Sequence, residues 1–88
     1  MPVERSNDVL FEIIDGTAVL VDPEGRELIT LNEVGSLVWD ALPEAGDADA
    51  LADRLHEHIV GVDRDRLAAD IAAFLDELRG AGLVVDCA

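Results

Sequence analysis

The side chains able to do chemistry in this 88-residue chain are few and scattered. His56 and His58 are its only histidines, and metal ligation is the chemistry they first suggest. On a helix, residues two apart point roughly 200° away from one another, so the pair cannot share an ion. The sole cysteine, Cys87, is penultimate and can close no internal disulfide. A structural zinc site needs three or four His or Cys ligands, which these residues do not supply. Ser6 and Ser36 are candidate nucleophiles, yet neither lies in a G-x-S-x-G turn, and Ser36 falls within an apolar helical stretch. Asp63-Arg64-Asp65 begins like a calcium loop without the ligand pattern that follows in one. The glycines of Asp15-Gly16 and Gly80-Ala81-Gly82 lack the spacing of a phosphate loop. Asp49 with Asp53, and Asp70 with Asp76, read as solvated helix faces rather than acid/base pairs. The expectation is a non-catalytic protein with no cofactor and no metal.

Composition narrows the partners. Twenty acidic residues against six basic ones, every one of them arginine, give a net charge of −14. Nucleic-acid binding draws its non-specific energy from Lys and Arg against phosphate, so neither nucleic acid nor an anionic membrane surface is expected. A winged-helix nucleic-acid binder, which the element count permits, has the wrong charge. Half the residues are apolar, which argues against disorder. No charged start followed by an apolar run appears, so neither a signal peptide nor a span is read, and a cytoplasmic location is the default.

The elements that would position a site follow from periodicity. Residues 1–8 are polar and are expected to be flexible. Val9–Ile14 reads as a strand, Asp15-Gly16 as a two-residue hairpin turn, and 17–22 as the return strand. Asp22-Pro23-Glu24-Gly25 is a second turn signal, leading into a third strand at 27–31. Asn32 is suited to cap a helix whose apolar positions are Val34, Leu37, Val38 and Leu42, with Pro43 and Gly46 ending it. A second helix begins at Asp47 or Asp49, carries Leu51, Leu55 and Ile59, and ends near Gly61. A third starts around Asp63 and carries Leu67, Ile71, Phe74, Leu75 and Leu78. The tail from Leu83 is apolar and is expected to lie back on the core. The fold class is therefore α+β: a three-stranded antiparallel meander followed by three helices, one domain over 9–85 with a short tail at 86–88.

A meander leaves its first and third strands as edges. The third, Glu27–Leu31, has no proline or lysine to guard it. Two readings stand at this point. Either the third helix or the tail covers the edge, or it is left for an extended peptide to add as a strand. A third possibility is an assembly subunit in which the edge joins two copies.

The strand–Asp-Gly–strand–turn–strand order, Leu31-Asn32 with Gly35 and Trp39, and the run Asp70-Ile71 through Phe74-Leu75, Leu78 and Gly82-Leu83 resemble the PqqD-like family. These are recognition elements for precursors of ribosomally synthesised, post-translationally modified peptides. The resemblance spans roughly residues 9–85 and implies a winged-helix-like fold that binds the leader part of a precursor peptide. It implies a leader paired with Leu28, Ile29 and Thr30, against a helix wall drawn from Arg66, Leu67, Asp70, Ile71 and Phe74. It further implies delivery to a maturation enzyme (a leader peptidase, a cyclase or a radical enzyme); an edge kept for a peptide alone is expected to leave the protein monomeric or weakly dimeric. Members occur in lasso-peptide pathways and beside radical enzymes, as in quinone cofactor synthesis; in the lasso pattern an aromatic often precedes the Leu-Asn pair, and Leu28-Ile29-Thr30 has none. Leu67→Asp and Ile71→Asp are expected to abolish leader binding while leaving the fold recognisable.

Overall fold

Asp15 and Gly16 carry φ of 51° and 81°, the pair of positive values that a type I′ hairpin demands and that Asp-Gly tolerates. They join β2 (Leu10–Ile14) to β3 (Thr17–Val21). At the next corner the Gly25 amide donates to the Asp22 carbonyl at 2.9 Å, and Asp22 Oδ1 accepts from the Arg26 amide at 2.7 Å. Gly25 has φ of 72°, so the corner needs a residue without a Cβ. The chain then enters β4 (Leu28–Thr30), and the sheet order is β2-β3-β4, antiparallel throughout. The computed structural model describes residues 2–59 and 61–86. The readings made for Cys87 lie outside them.

Asn32 caps α1 (Glu33–Ala41) as its type predicts: Oδ1 accepts from the Gly35 amide at 2.7 Å. Asp47 does the same for α2 (Ala48–Leu55), accepting from the Ala50 amide at 2.8 Å. The second helix ends earlier than its apolar stripe implies. A 3₁₀ turn at His56–His58 replaces its last turn, and His56 Nε2 lies 3.1 Å from the Val62 carbonyl. The two histidines thus sit on a tightened, exposed turn rather than on an α-helix. Asp63 precedes α3 (Arg64–Gly80). Arg64 fastens α3 to α2, donating from Nε to Asp53 Oδ1 at 2.8 Å and from Nη2 to the Asp49 carbonyl at 3.0 Å. That hydrogen bond holds the Asp53 carboxyl below its ordinary range and raises the Arg64 guanidinium.

The largest departure from the sequence reading is at the termini. Val3–Arg5 is not a flexible lead-in but a strand, β1, paired antiparallel with β5 (Val84–Asp86) in a second, two-stranded sheet. Val3 and Val84 are both buried, and the Val3 amide donates to the Gly46 carbonyl at 2.8 Å. A Cβ on Gly46 would collide with the Val3 backbone, so β1 seats only because that position is glycine. Three-residue strands paired across the length of the chain leave no local pattern to read. The expectation that the tail folds back holds for Leu83 and Val84.

The helices lie on one face of the β2-β3-β4 sheet. The core joins Ala18 and Leu20 of that sheet to Val38 and Trp39 of α1, Leu51 and Leu55 of α2, and Leu67, Ile71, Leu75 and Leu78 of α3. Trp39 is fully buried and meets Phe11 edge-on, with ring centroids 5.4 Å apart. Arg5 closes this corner. Its guanidinium sits 4.4 Å from the Phe11 centroid and donates from Nε to the Trp39 carbonyl at 3.1 Å. Burial pushes the Arg5 pKa down, opposed by the nearby Asp40 carboxylate.

Candidate functional site

The edge of β4 is built by the alternation of an antiparallel ladder, in which every second residue turns its N–H and C=O toward one neighbour. The Leu31 amide donates to the Ala18 carbonyl at 2.9 Å, and the Asp22 amide donates to the Glu27 carbonyl at 3.2 Å. Glu27, Ile29 and Leu31 therefore face β3 with their backbones. Leu28 and Thr30 turn theirs outward, where no strand among the described residues pairs with β4. Of the three backbone partners expected from sequence, two are available and Ile29 is already engaged. Its side chain is half-buried at the core margin, whereas those of Leu28 and Thr30 are exposed.

Ser36 shapes the end of this edge. The reciprocal bond expected between Ala18 and Leu31 is replaced by a hydroxyl: Ser36 Oγ accepts from the Ala18 amide at 2.8 Å and donates to the Leu31 carbonyl at 3.2 Å. The side chain is buried, so it acts as a strut where β4 leaves β3 and turns into α1. Sequence reasoning saw Ser36 only as a failed nucleophile. A small polar residue within an apolar helical stretch was the available signal.

Beyond the strand a groove of about 320 Å³ opens. Its walls are Leu67, Asp70, Ile71 and Phe74 of α3, Val34, Gly35 and Val38 of α1, and Ile59 and Val62 of the segment joining α2 to α3, with Asn32 at its mouth. Four of the five helix-wall residues expected from sequence come together here; Arg66 is exposed and does not line it. The strand residues Leu28, Ile29 and Thr30 do not line it either, so edge and groove are consecutive rather than face to face. A peptide paired at Thr30 reaches Asn32 after about two residues, ~7 Å along an extended chain. Gly35 keeps the groove floor thin, because a Cβ there would stand 3.1 Å from Phe74 Cζ and 3.0 Å from Asn32 Oδ1. Val34 and Val38 were legible only as apolar positions of one helix, and Ile59 as the end of the α2 stripe, while Val62 falls in the loop before α3 with no periodicity to expose it.

Leu67 and Ile71 need a correction. Their side chains are 2% and 1% exposed, so they belong to the core and only floor the groove. A carboxylate placed there would be buried without a partner, which destabilises the fold itself. Leu67→Asp and Ile71→Asp therefore report on folding rather than on peptide binding.

Among the described residues no three His, Cys, Asp or Glu side chains gather as a metal-ligand set, and no helix is long and apolar enough to cross a membrane. The arrangement offers backbone donors and acceptors in a row, then an apolar recess with one carboxylate, Asp70, at its wall.

Comparison with known proteins follows the same lines. The model of a family described as coenzyme PQQ synthesis protein D (PqqD) matches residues 17–84. The solved structure of TbiB1 in complex with the TbiA(beta) leader peptide is similar, with a TM-score of 0.84 and 27% identity over 97% of this chain and 98% of that one. A lasso peptide synthetase B1 complexed with the leader peptide has a TM-score of 0.82 over 98% of this chain and 100% of that one. At 22% identity that likeness is one of fold. No curated protein sequence is matched.

Proposed function

Because this chain belongs to the PqqD family, we propose that it is a non-catalytic carrier for the leader of a ribosomally made precursor peptide. It holds the leader as an added strand on β4 and presents it to a maturation enzyme in the cytoplasm, where precursors are made. The likeness to TbiB1, solved in complex with a leader peptide, supports the leader-binding part of this reading.

The observation that carries this reading is the outward-turned backbone of Leu28 and Thr30, continuous with an apolar groove. Each of the two residues offers one N–H and one C=O, so a guest strand makes up to four hydrogen bonds. At about 0.5–1.5 kcal/mol net apiece they contribute about 2–6 kcal/mol. Ordering the peptide costs a comparable amount. Useful affinity then depends on an apolar side chain in the groove, where full burial contributes about 1.5–3 kcal/mol. With a net charge of −14 and Asp70 in the groove wall, the leader segment that binds carries few acidic residues.

The test is fluorescence anisotropy with a labelled synthetic leader of the cognate precursor. Saturable binding by the wild-type chain is expected, weakened when the leader is N-methylated at alternate positions so that its outward donors are lost. Equal affinity for leaders methylated in either register, and for the unmodified peptide, would exclude strand addition.

A further inference from the structure

The sheet has a second face that neither the core nor the leader edge uses. The register places Leu10, Val21 and Leu28 side by side across all three strands, with Glu12 beside Val19, and Ile14 at the hairpin end. These side chains point away from the helices. Leu10, Ile14 and Leu28 are 71%, 51% and 74% exposed. With Val19 and Val21 they enclose a shallow hollow of about 250 Å³. Contiguous apolar surface of this kind, left open by a small domain, marks a place where another molecule sits.

Charge selects the occupant. The face carries Glu12 within it, and Asp15, Asp22, Glu24 and Glu27 lie in the turns and flank that border it. The one arginine at this end, Arg26, is engaged by Glu24 at 3.5 Å. A second copy would bring the same carboxylates and another −14 against them, and an anionic lipid surface is repelled likewise. The surface complementary to it is a protein patch that is apolar at its centre and bordered by Lys or Arg.

Leu28 joins this face to the leader edge. Its side chain lies in the hollow, while its backbone turns toward the place of the added strand. A partner seated on the face therefore stands about one strand spacing, ~5 Å, from a bound leader. We propose that this outer face is where the maturation enzyme docks to receive the leader, through a basic-rimmed apolar patch. The inference rests on the leader-carrier reading and adds to it a separate surface for the receiving enzyme.

The probe is the purified enzyme whose conversion of the precursor the wild-type chain accelerates. Leu10→Glu/Ile14→Glu alters only exposed residues of β2, two strands from the leader edge, and Glu12→Arg alters the charge alone. The expected result is leader affinity within twofold of wild type, with enzyme association weakened at least tenfold in the double variant. Glu12→Arg weakens association less, and wild-type association falls with added salt. Unchanged enzyme association in both variants, with the fold intact by thermal melting, overturns the proposal. So does a wild-type dimer in light scattering that the double variant dissolves, since the face would then serve self-association. Failure of the wild-type chain to bind its leader is a different result, which removes the carrier reading and this inference together.

Discussion

Proline at position 30 separates the two edges of β4 by parity. The Thr30 amide points away from β3, so Thr30→Pro removes a donor that only a guest strand uses, and the ring occupies the space that donor faced. The loss of one backbone hydrogen bond, about 0.5–1.5 kcal/mol net, weakens leader binding roughly 2- to 12-fold at 1.4 kcal/mol per decade. Leu28→Pro/Thr30→Pro removes both outward donors, and the loss rises to about 5- to 140-fold. The fixed φ of proline lies within the extended range, and the residue before it, Ile29, is already extended, so stability changes little. Ile29→Pro is the counter-experiment. Its amide is committed to β3 opposite Leu20, so that variant lowers the urea midpoint instead. Leader affinity is read by anisotropy and stability by urea unfolding. A folded Thr30→Pro protein that binds leader as tightly as wild type would refute the assignment of β4 as the acceptor edge.

Three further outcomes follow from the same geometry. Ser36→Ala strands the buried Ala18 amide and costs about 1–3 kcal/mol in urea unfolding, although the side chain lost is small. Gly46→Ala drives a methyl into the Val3 backbone and dislodges β1, lowering stability by about 1–3 kcal/mol and exposing the Val3 amide, bonded to Gly46, and the Val85 amide, which faces Glu4 of β1, to hydrogen exchange. Arg64→Ala lowers the thermal midpoint at neutral pH and low salt. Because Arg64 depresses the Asp53 carboxyl, this contribution is present above the ordinary aspartate range and is lost as pH falls through the lowered value, so variant and wild type converge in acid.

The meander and the helix starts were legible because each rests on a local rule. Asp15-Gly16 requires positive φ at both positions, and Asn32 requires only the amide three residues on. What stayed hidden depends on distant partners. β1 exists because Val3 meets Gly46 and Val84 comes back to pair near it, and nothing in Val3–Arg5 announces either. The end of α2 is decided by the 3₁₀ turn and the closure from His56 to Val62, although Ile59 continues the apolar spacing. The candidate site divides in the same way. The unguarded edge and the α3 wall could be read from sequence, and the parity that frees Leu28 and Thr30 but engages Ile29 could not. One hydrogen bond at Leu31 sets that parity, and a one-residue slip would reverse it. Leu67 and Ile71 looked alike as wall and as core because both environments are apolar; only burial separates them.

Amide hydrogen exchange resolved by residue across β4, with and without saturating leader peptide, shows whether its outer edge accepts a guest strand. Ile29 and Leu31 are expected to be protected in the free protein, while Leu28 and Thr30 exchange quickly and become protected only when the leader is added. Slow exchange at Leu28 and Thr30 before any peptide is present, or no change there on saturation, would contradict that expectation.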